Sequence, residues 1–417
     1  MAGGSQKSLD TAVAMMQQDG APAYQIDHFA RQFKLVAEGF DGLILEESIR
    51  PLEEPMRLES LPAQLYDSKS GYRVASLKLN GGMGTTMGLD GPKSLLPVKD
   101  GKTFLAIVLE QYAQHHQGDR LLLMNSFYTH AKTTEFLGEA PPDGVDCFQQ
   151  GRVPRLQEGN LMPLDAAVWG DAAWCPPGHG QVLDVLAAGL ADDLRSQGVR
   201  YVFISNIDNL GATVDPVVPE YMKANSIPWL TEVSQRDQTD IKGGHVAIYR
   251  DSGELLVRDS NMTAETDMPA YSDIARHRFF STNNHWLDLE ALDTPAFKKN
   301  HDLPLIVNHK QVKSPTSEAK IIQLETGIGT AIGMFKGAQA MLVPRSRFIP
   351  VKDIPQWLLV RSDWFTLQAD GLLVEPDAAN RPAVNSNTIH HGSPEEALQY
   401  YLSHPDFEHH LGQENLQ

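Results

Sequence analysis

Residues 77–95 read LKLNGGMGTTMGLDGPKSL. The approach from Val74 to Leu79 is apolar and thin in polar residues, as a buried strand would be. It empties into a turn carrying Gly81, Gly82, Gly84 and Gly88, residues that permit positive φ and admit a ligand where a Cβ would stand. Backbone N–H groups in such a turn form a concave anion site, and Lys93 supplies a mobile positive charge at its end. A strand that opens into a phosphate cradle predicts an α/β fold with its ligand at the strand's C-terminal end.

Two commoner glycine-rich loops fail on spacing. A P-loop needs a free amide just ahead of its lysine, and here that place is Pro92, which has no N–H. The dinucleotide fingerprint fails because the spacing is Gly82-x-Gly84-x-x-x-Gly88, with no acidic residue closing a strand about 20 residues on.

Outward from this loop, strands and helices alternate. Helix is expected over 103–114, strand over 121–125 and 145–149, helix over 181–197, strand over 201–205 and helix over 215–224, a βαβ rhythm that predicts a mostly parallel sheet covered by helices. Residues 1–70 read as an N-terminal helical cap broken by Pro51, Pro55 and Pro62. Residues 71–352 read as the main domain, with an inserted antiparallel hairpin or small sheet at 229–259 inside a ligand-binding insertion spanning about 229–300. A helix is expected over 320–335 and a strand over 340–344, and residues 353–417 read as a short helical extension with helices at 354–363 and 394–402.

Composition narrows the class. At 41% hydrophobic and 21% charged residues the chain is an ordinary globular protein, and no apolar run reaches the roughly 20 residues that cross a bilayer. A formal charge of −18 disfavours nucleic acid and anionic membranes as partners, so a phosphorylated ligand has to meet a local positive field. The N-terminus lacks a basic start followed by an apolar core, and the two cysteines, Cys147 and Cys175, have no metal or redox spacing; a cytoplasmic protein is expected. His390, His391, His404, His409 and His410 read as solvated surface rather than as a metal site.

The stretch NGGMGTTMGLDGPKS resembles the signature of the eukaryotic-type UTP–glucose-1-phosphate uridylyltransferases, also called UDP-glucose pyrophosphorylases. The resemblance continues in order through LLLMNSFYTH (121–130), FQQGRVPRL (148–156), PPGHG (176–180) and FISNIDNLGATVD (203–215). It goes on through DIKGGH (240–245), FSTNNHWLDL (280–289), QLETGIGTAI (323–332) and VPRSRFIPVK (343–352). It implies a Rossmann-like nucleotidyltransferase fold of the GT-A-like kind and a Mg²⁺-dependent displacement at the α-phosphorus of UTP by glucose 1-phosphate, giving UDP-glucose and pyrophosphate.

The resemblance also implies residue roles. Lys93 and Lys352 match the phosphate-binding lysines, and Asp208 matches a Mg²⁺ ligand, in keeping with a carboxylate at a strand's C-terminal end. UTP falls to Leu79, Gly81, Gly82, Gly84, Thr85, Met124, Gln150, His179 and Gly180, with Gln150 reading uracil because one amide offers a donor and an acceptor side by side. Glucose falls to Asn206, Glu232, Gly244, Thr282 and Asn284, with Asn283 expected to point the other way on an extended strand. The larger members carry a C-terminal β-helix that mediates oligomerisation; the residues beyond Lys352 are expected to be too few for one, and a monomer, at most a weak dimer, is expected.

Two other readings are open to the same residues. A UDP-N-acetylhexosamine or broad UDP-sugar pyrophosphorylase is disfavoured because Thr86 stands where that group typically has an arginine. A non-catalytic UDP-sugar sensor is disfavoured because it has no use for Lys93, Asp208 and Lys352 together.

Overall fold

The structure, a computed structural model, describes residues 3–66, 72–84, 87–89, 91–115, 119–237, 240, 243–313, 318–362, 364–375 and 396. Its spine is a sheet whose strands are β1 (Ile49–Pro51), β2 (Met56–Arg57), β3 (Arg73–Asn80), β4 (Arg120–Asn125), β5 (Val145–Gln149) and β6 (Val199–Asn206). It is completed by β7 (Trp229–Gln235), β8 (His245–Tyr249), β9 (Leu255–Arg258), β10 (Phe279–Asp288) and, after the two strands β11 (Leu305–Lys313) and β12 (Glu318–Thr326) of a separate sheet, by β13 (Gln339–Leu342).

The main path runs β2-β13-β7-β10-β6-β3-β4-β5. Every pairing along it is parallel except the two made by β10, which runs against its neighbours β7 and β6. The expected mostly parallel α/β sheet is therefore observed. In β3 every residue after Arg73 is buried, because helices cover both faces and leave no solvated side to demand alternation. The longer helices are α1 (Gly3–Gln18), α2 (Ala23–Ala37), α3 (Phe104–His115), α4 (His130–Leu137), α5 (Gln181–Ser196, kinked at Gly189), α6 (Val217–Ala224) and α7 (Ile354–Arg361).

Several expectations are corrected. Residues 320–335 are not a helix: β12 pairs with β11 over nine residues, and only Ile328–Gly333 turns, as a 3₁₀ helix. The run KIIQLET has consecutive buried apolar residues, a pattern that a strand and a buried helix share, and pairing with β11 decides between them. Residues 229–235 belong to the main sheet, and the antiparallel hairpin is confined to β8 and β9. The N-terminal segment is not wholly helical, since β1 and β2 add to the sheet as short edge strands, where prolines such as Pro51 are tolerated.

After α7 the chain forms a two-stranded hairpin, Thr366–Leu367 against Leu373–Val374, and the helix expected at 394–402 lies outside the described residues apart from Glu396. The C-terminal histidines also lie outside them. Helix α7 packs Trp357 and Leu358 into the same core as Phe104 and Ile107 of α3. Helices α1 and α2 instead share a core with β11 and β12. Among the described residues no helix is long and apolar enough to cross a membrane.

Candidate active site

Register places the site. Asn206 pairs with Leu79, Asn80 with Asn125 and Asn125 with Gln149, so β6, β3, β4 and β5 end flush and their following loops share one rim. Ligands bind at this edge of open α/β sheets because the loops diverge there.

The loop after β3 folds back on itself. The Lys93 N–H donates to Gly82 O at 3.1 Å, and Ser126 Oγ donates to Gly81 O at 2.8 Å. Positive φ is needed at Gly84 (62°) and Gly88 (72°), but not at Gly81 or Gly82. Gly82 has a different reason to lack a side chain: the place of its Cβ has nothing within 4 Å, so the backbone lies open to a ligand. Thr85 lies outside the described residues. Leu79 and Met124 are buried neighbours in adjacent strands and form the floor beneath the rim.

Beside the glycine loop the Lys93 ammonium forms an ion pair with Asp208, in the turn after β6. Lys352 approaches from the far end of the chain, its ammonium 5.2 Å from the Phe280 ring centroid. Desolvation lowers its pKa below the ordinary lysine value, opposed by Asp208, Asp240 and Asp259 and reinforced by Lys93. These two lysines and Asp208 therefore share one electrostatic neighbourhood. Lys352 remains accessible while protein crowds around its ammonium, which is the character of a cleft. Among the described residues no group of three or more His, Cys, Asp or Glu could hold a metal by itself.

Just past β5 Gln150 is 5% exposed, held where its backbone N–H meets Asn125 O at 2.8 Å, whereas Gln149 is exposed. The next residue is braced from helices: the Gly151 N–H donates to Gln181 Oε1 at 2.8 Å, and Gln25 Nε2 of α2 donates to Arg152 O at 2.7 Å. Gly178 and Gly180 press against β12, where a Cβ would stand 2.3 Å from Thr326 O and 2.4 Å from Thr326 Oγ1 respectively. His179 Nδ1 accepts the Ile328 N–H at 3.1 Å, which leaves the ring proton on Nε2; burial lowers its pKa to about 4, so the ring is neutral.

The residues expected to meet glucose are arranged differently from the sequence reading. Glu232 is fully buried, taking Arg347 Nη2 at 2.6 Å and Trp286 Nε1 at 2.9 Å on one oxygen, and Asn284 Nδ2 and Arg347 Nε, both at 3.0 Å, on the other. Burial disfavours the Arg347 charge, but Glu232 more than compensates and raises its pKa. Thr282 is buried with its hydroxyl on Glu232 O, and Gly244 gives its carbonyl to the Ser281 N–H. Glu232, Thr282 and Asn284 thus brace one another beneath the rim.

Asn283 does not point away. The register of β7 against β10 shifts between Glu232 and Val233, which pair with Asn284 and Ser281 and leave Thr282 and Asn283 in a bulge. Asn283 adopts φ 58°, a region asparagine tolerates, and its Nδ2 donates to Asn206 Oδ1 at 2.8 Å. The assumption of an unbroken strand hid this residue. Arg347 and His285 were missed as well, although both lie inside quoted motifs, because what each does is set by partners distant in sequence or by the bulge in β10.

The family model described as UTP–glucose-1-phosphate uridylyltransferase matches residues 26–406. UTP–glucose-1-phosphate uridylyltransferase 2 of Dictyostelium discoideum is 36% identical over 344 residues, covering 80% of this chain and 66% of that protein. The Solanum tuberosum protein named UTP–glucose-1-phosphate uridylyltransferase is 35% identical over 346 residues, covering 81% and 71%. The chain thus spans about two thirds of the length of these relatives. Among solved structures, a UDP-glucose phosphorylase from Trypanosoma brucei superposes with a TM-score of 0.83 at 36% identity, covering 91% of this chain and 84% of that one. A point variant of UDP-glucose pyrophosphorylase from Leishmania major, in complex with UDP-glucose, gives 0.81 at 35% identity and covers 90% and 83%. With a family match over most of its length and relatives of this similarity, the chain belongs to the UTP–glucose-1-phosphate uridylyltransferase family.

Proposed function

We infer that this chain converts UTP and glucose 1-phosphate to UDP-glucose and pyrophosphate. The observation that carries the reading is the meeting of Lys93, Lys352 and Asp208, from three distant stretches, at the rim where the glycine loop opens. A phosphate oxygen of glucose 1-phosphate forms a bond to the α-phosphorus of UTP as the bond to the β-phosphate oxygen breaks, and the pair of electrons leaves with pyrophosphate. The attacking phosphate is already an anion, so no general base is required. The task of the site is to hold two like charges together, which at 4 Å repel by about 1 kcal/mol in water and more in a drier cleft.

The residues divide that work. The open backbone at Gly82 and the Lys93 ammonium suit the UTP phosphates, and Lys352 suits the second anion. Gln150 suits uracil, and Asn206 with Asn283 suits the sugar hydroxyls. Mg²⁺ fits a donor set this sparse, because it takes one or two carboxylates and completes its shell with phosphate oxygens and water. Asp208 would hold it, and the ion would neutralise phosphate charge there.

A coupled pyrophosphate-release assay with UTP, Mg²⁺ and a panel of sugar 1-phosphates tests the reading. Turnover is expected with glucose 1-phosphate above N-acetylhexosamine 1-phosphates. Absence of turnover with every sugar would identify a binding protein instead.

A further inference from the structure

Beneath Asn206 runs a single file of hydrogen bonds whose direction is fixed at its buried end. The indole Nε1 of Trp229 can only donate, and it donates to Thr231 Oγ1 at 2.9 Å. That hydroxyl has no other acceptor among the described residues than His285 Nδ1, at 3.0 Å, so its proton points to the ring. With Nδ1 accepting, the neutral ring carries its proton on Nε2, which faces Asn283 Oδ1 at 3.1 Å. Asn283 then donates from Nδ2 to Asn206 Oδ1 at 2.8 Å. Trp229, Thr231 and His285 are all fully buried, whereas Asn283 and Asn206 are partly exposed at the rim.

We propose that His285 is a positioning residue for the sugar: its Nε2–H fixes the Asn283 amide, which holds the oxygen of Asn206, so that Asn206 presents its NH₂ group to an oxygen of the sugar 1-phosphate. This rests on the functional reading above, in which Asn206 meets the sugar. His285 itself touches no substrate. Burial first, and then His179, lowers its pKa to about 3, so the ring stays neutral and the file keeps its sense. A reversed Asn283 amide would set its NH₂ against the Nε2–H and lose the bond to Asn206 Oδ1. The bulge that gives Asn283 its φ of 58° is what brings the amide within reach of both partners.

Three variants separate this role from simple packing. Glutamine places an NH₂ group near the position of the imidazole Nε2, whereas asparagine stops short at the Nδ1 position and leucine has no polar atom. H285L and H285N are expected to raise KM for glucose 1-phosphate about tenfold while KM for UTP changes less than about twofold, and H285Q is expected to stay within about threefold of the parent protein. Equal rises in both KM values, or an unchanged KM for glucose 1-phosphate in H285L, overturn the proposal. Nitrogen NMR of the ring in the unsubstituted protein is the second readout. The Nε2–H tautomer is expected, and an Nδ1–H tautomer overturns the proposal whether or not any variant folds. If the unsubstituted protein fails to turn over glucose 1-phosphate, the functional reading falls, while the ring tautomer still judges the hydrogen-bond file.

Discussion

Lys93 and Asp208 lie 115 residues apart and pair across the rim, each side chain 14% exposed. The pair joins the glycine loop after β3 to the turn after β6, and Lys352 stands in the same field. Paired with a lysine, the carboxylate is oriented at the rim where the glycine loop opens.

Asp208→Ala is expected to lower kcat by about 100-fold or more, the scale of losing one aimed electrostatic group from a reacting centre. Stability should change by no more than about 1 kcal/mol, because the pair keeps contact with water. Metal-free UTP should bind at least as tightly, since an anion has left the cleft. Steady-state kinetics, calorimetric titration and a urea melt check the three parts.

Two glycines of the rim should fail in different ways. Gly82→Ala is expected to leave the melting temperature unchanged, as its Cβ enters open space, yet to weaken UTP binding. Gly178→Ala is expected to destabilise the fold by about 2–4 kcal/mol, because its φ of 89° and the Thr326 backbone both oppose a Cβ. Thermal melts with and without UTP distinguish the two.

The Arg347–Glu232 pair predicts a larger structural cost. Arg347→Met leaves a fully buried carboxylate whose remaining side-chain donors, among the described residues, are Asn284 and Trp286, and is expected to cost about 3–5 kcal/mol. Denaturant unfolding measures it. A loss below about 1 kcal/mol would mean that the carboxylate finds water or takes up a proton.

Acid should unfold this protein early. Burial lowers the pKa of His179 to about 4 and of His285 to about 3, that of His245 well below 6.5, and that of His277 despite the opposing Glu46. His179 and His285 stay neutral in the fold down to about pH 4, while the unfolded chain takes up a proton on each near pH 6.5. Their stabilising contribution is present above that pH and is lost as pH falls from 6.5 toward 4. The slope per histidine approaches about 1.4 kcal/mol per pH unit. Urea midpoints across this window check the slope, and His285→Gln should reduce it by about one proton.

The sequence showed most plainly the parts of the site that use local chemistry. The glycine loop, Lys93 and the apolar strand leading to Asp208 each announce themselves within about a dozen residues, and β3 and β6 lie where their patterns place them. What escaped was set by register and by long-range pairing. Asn283 reaches Asn206 only through a bulge, which alternation along β10 cannot reveal. Glu232 and Arg347 find each other across 115 residues of chain, and the pairing turns a presumed sugar ligand into a buried brace. The strand β12 reads like a helix until β11 lies beside it.

A crystal structure with UDP-glucose bound tests the central claim most directly. The account predicts the diphosphate between the ammonium groups of Lys93 and Lys352, over the open backbone of Gly82, with glucose against Asn206. A diphosphate that meets neither lysine would contradict it.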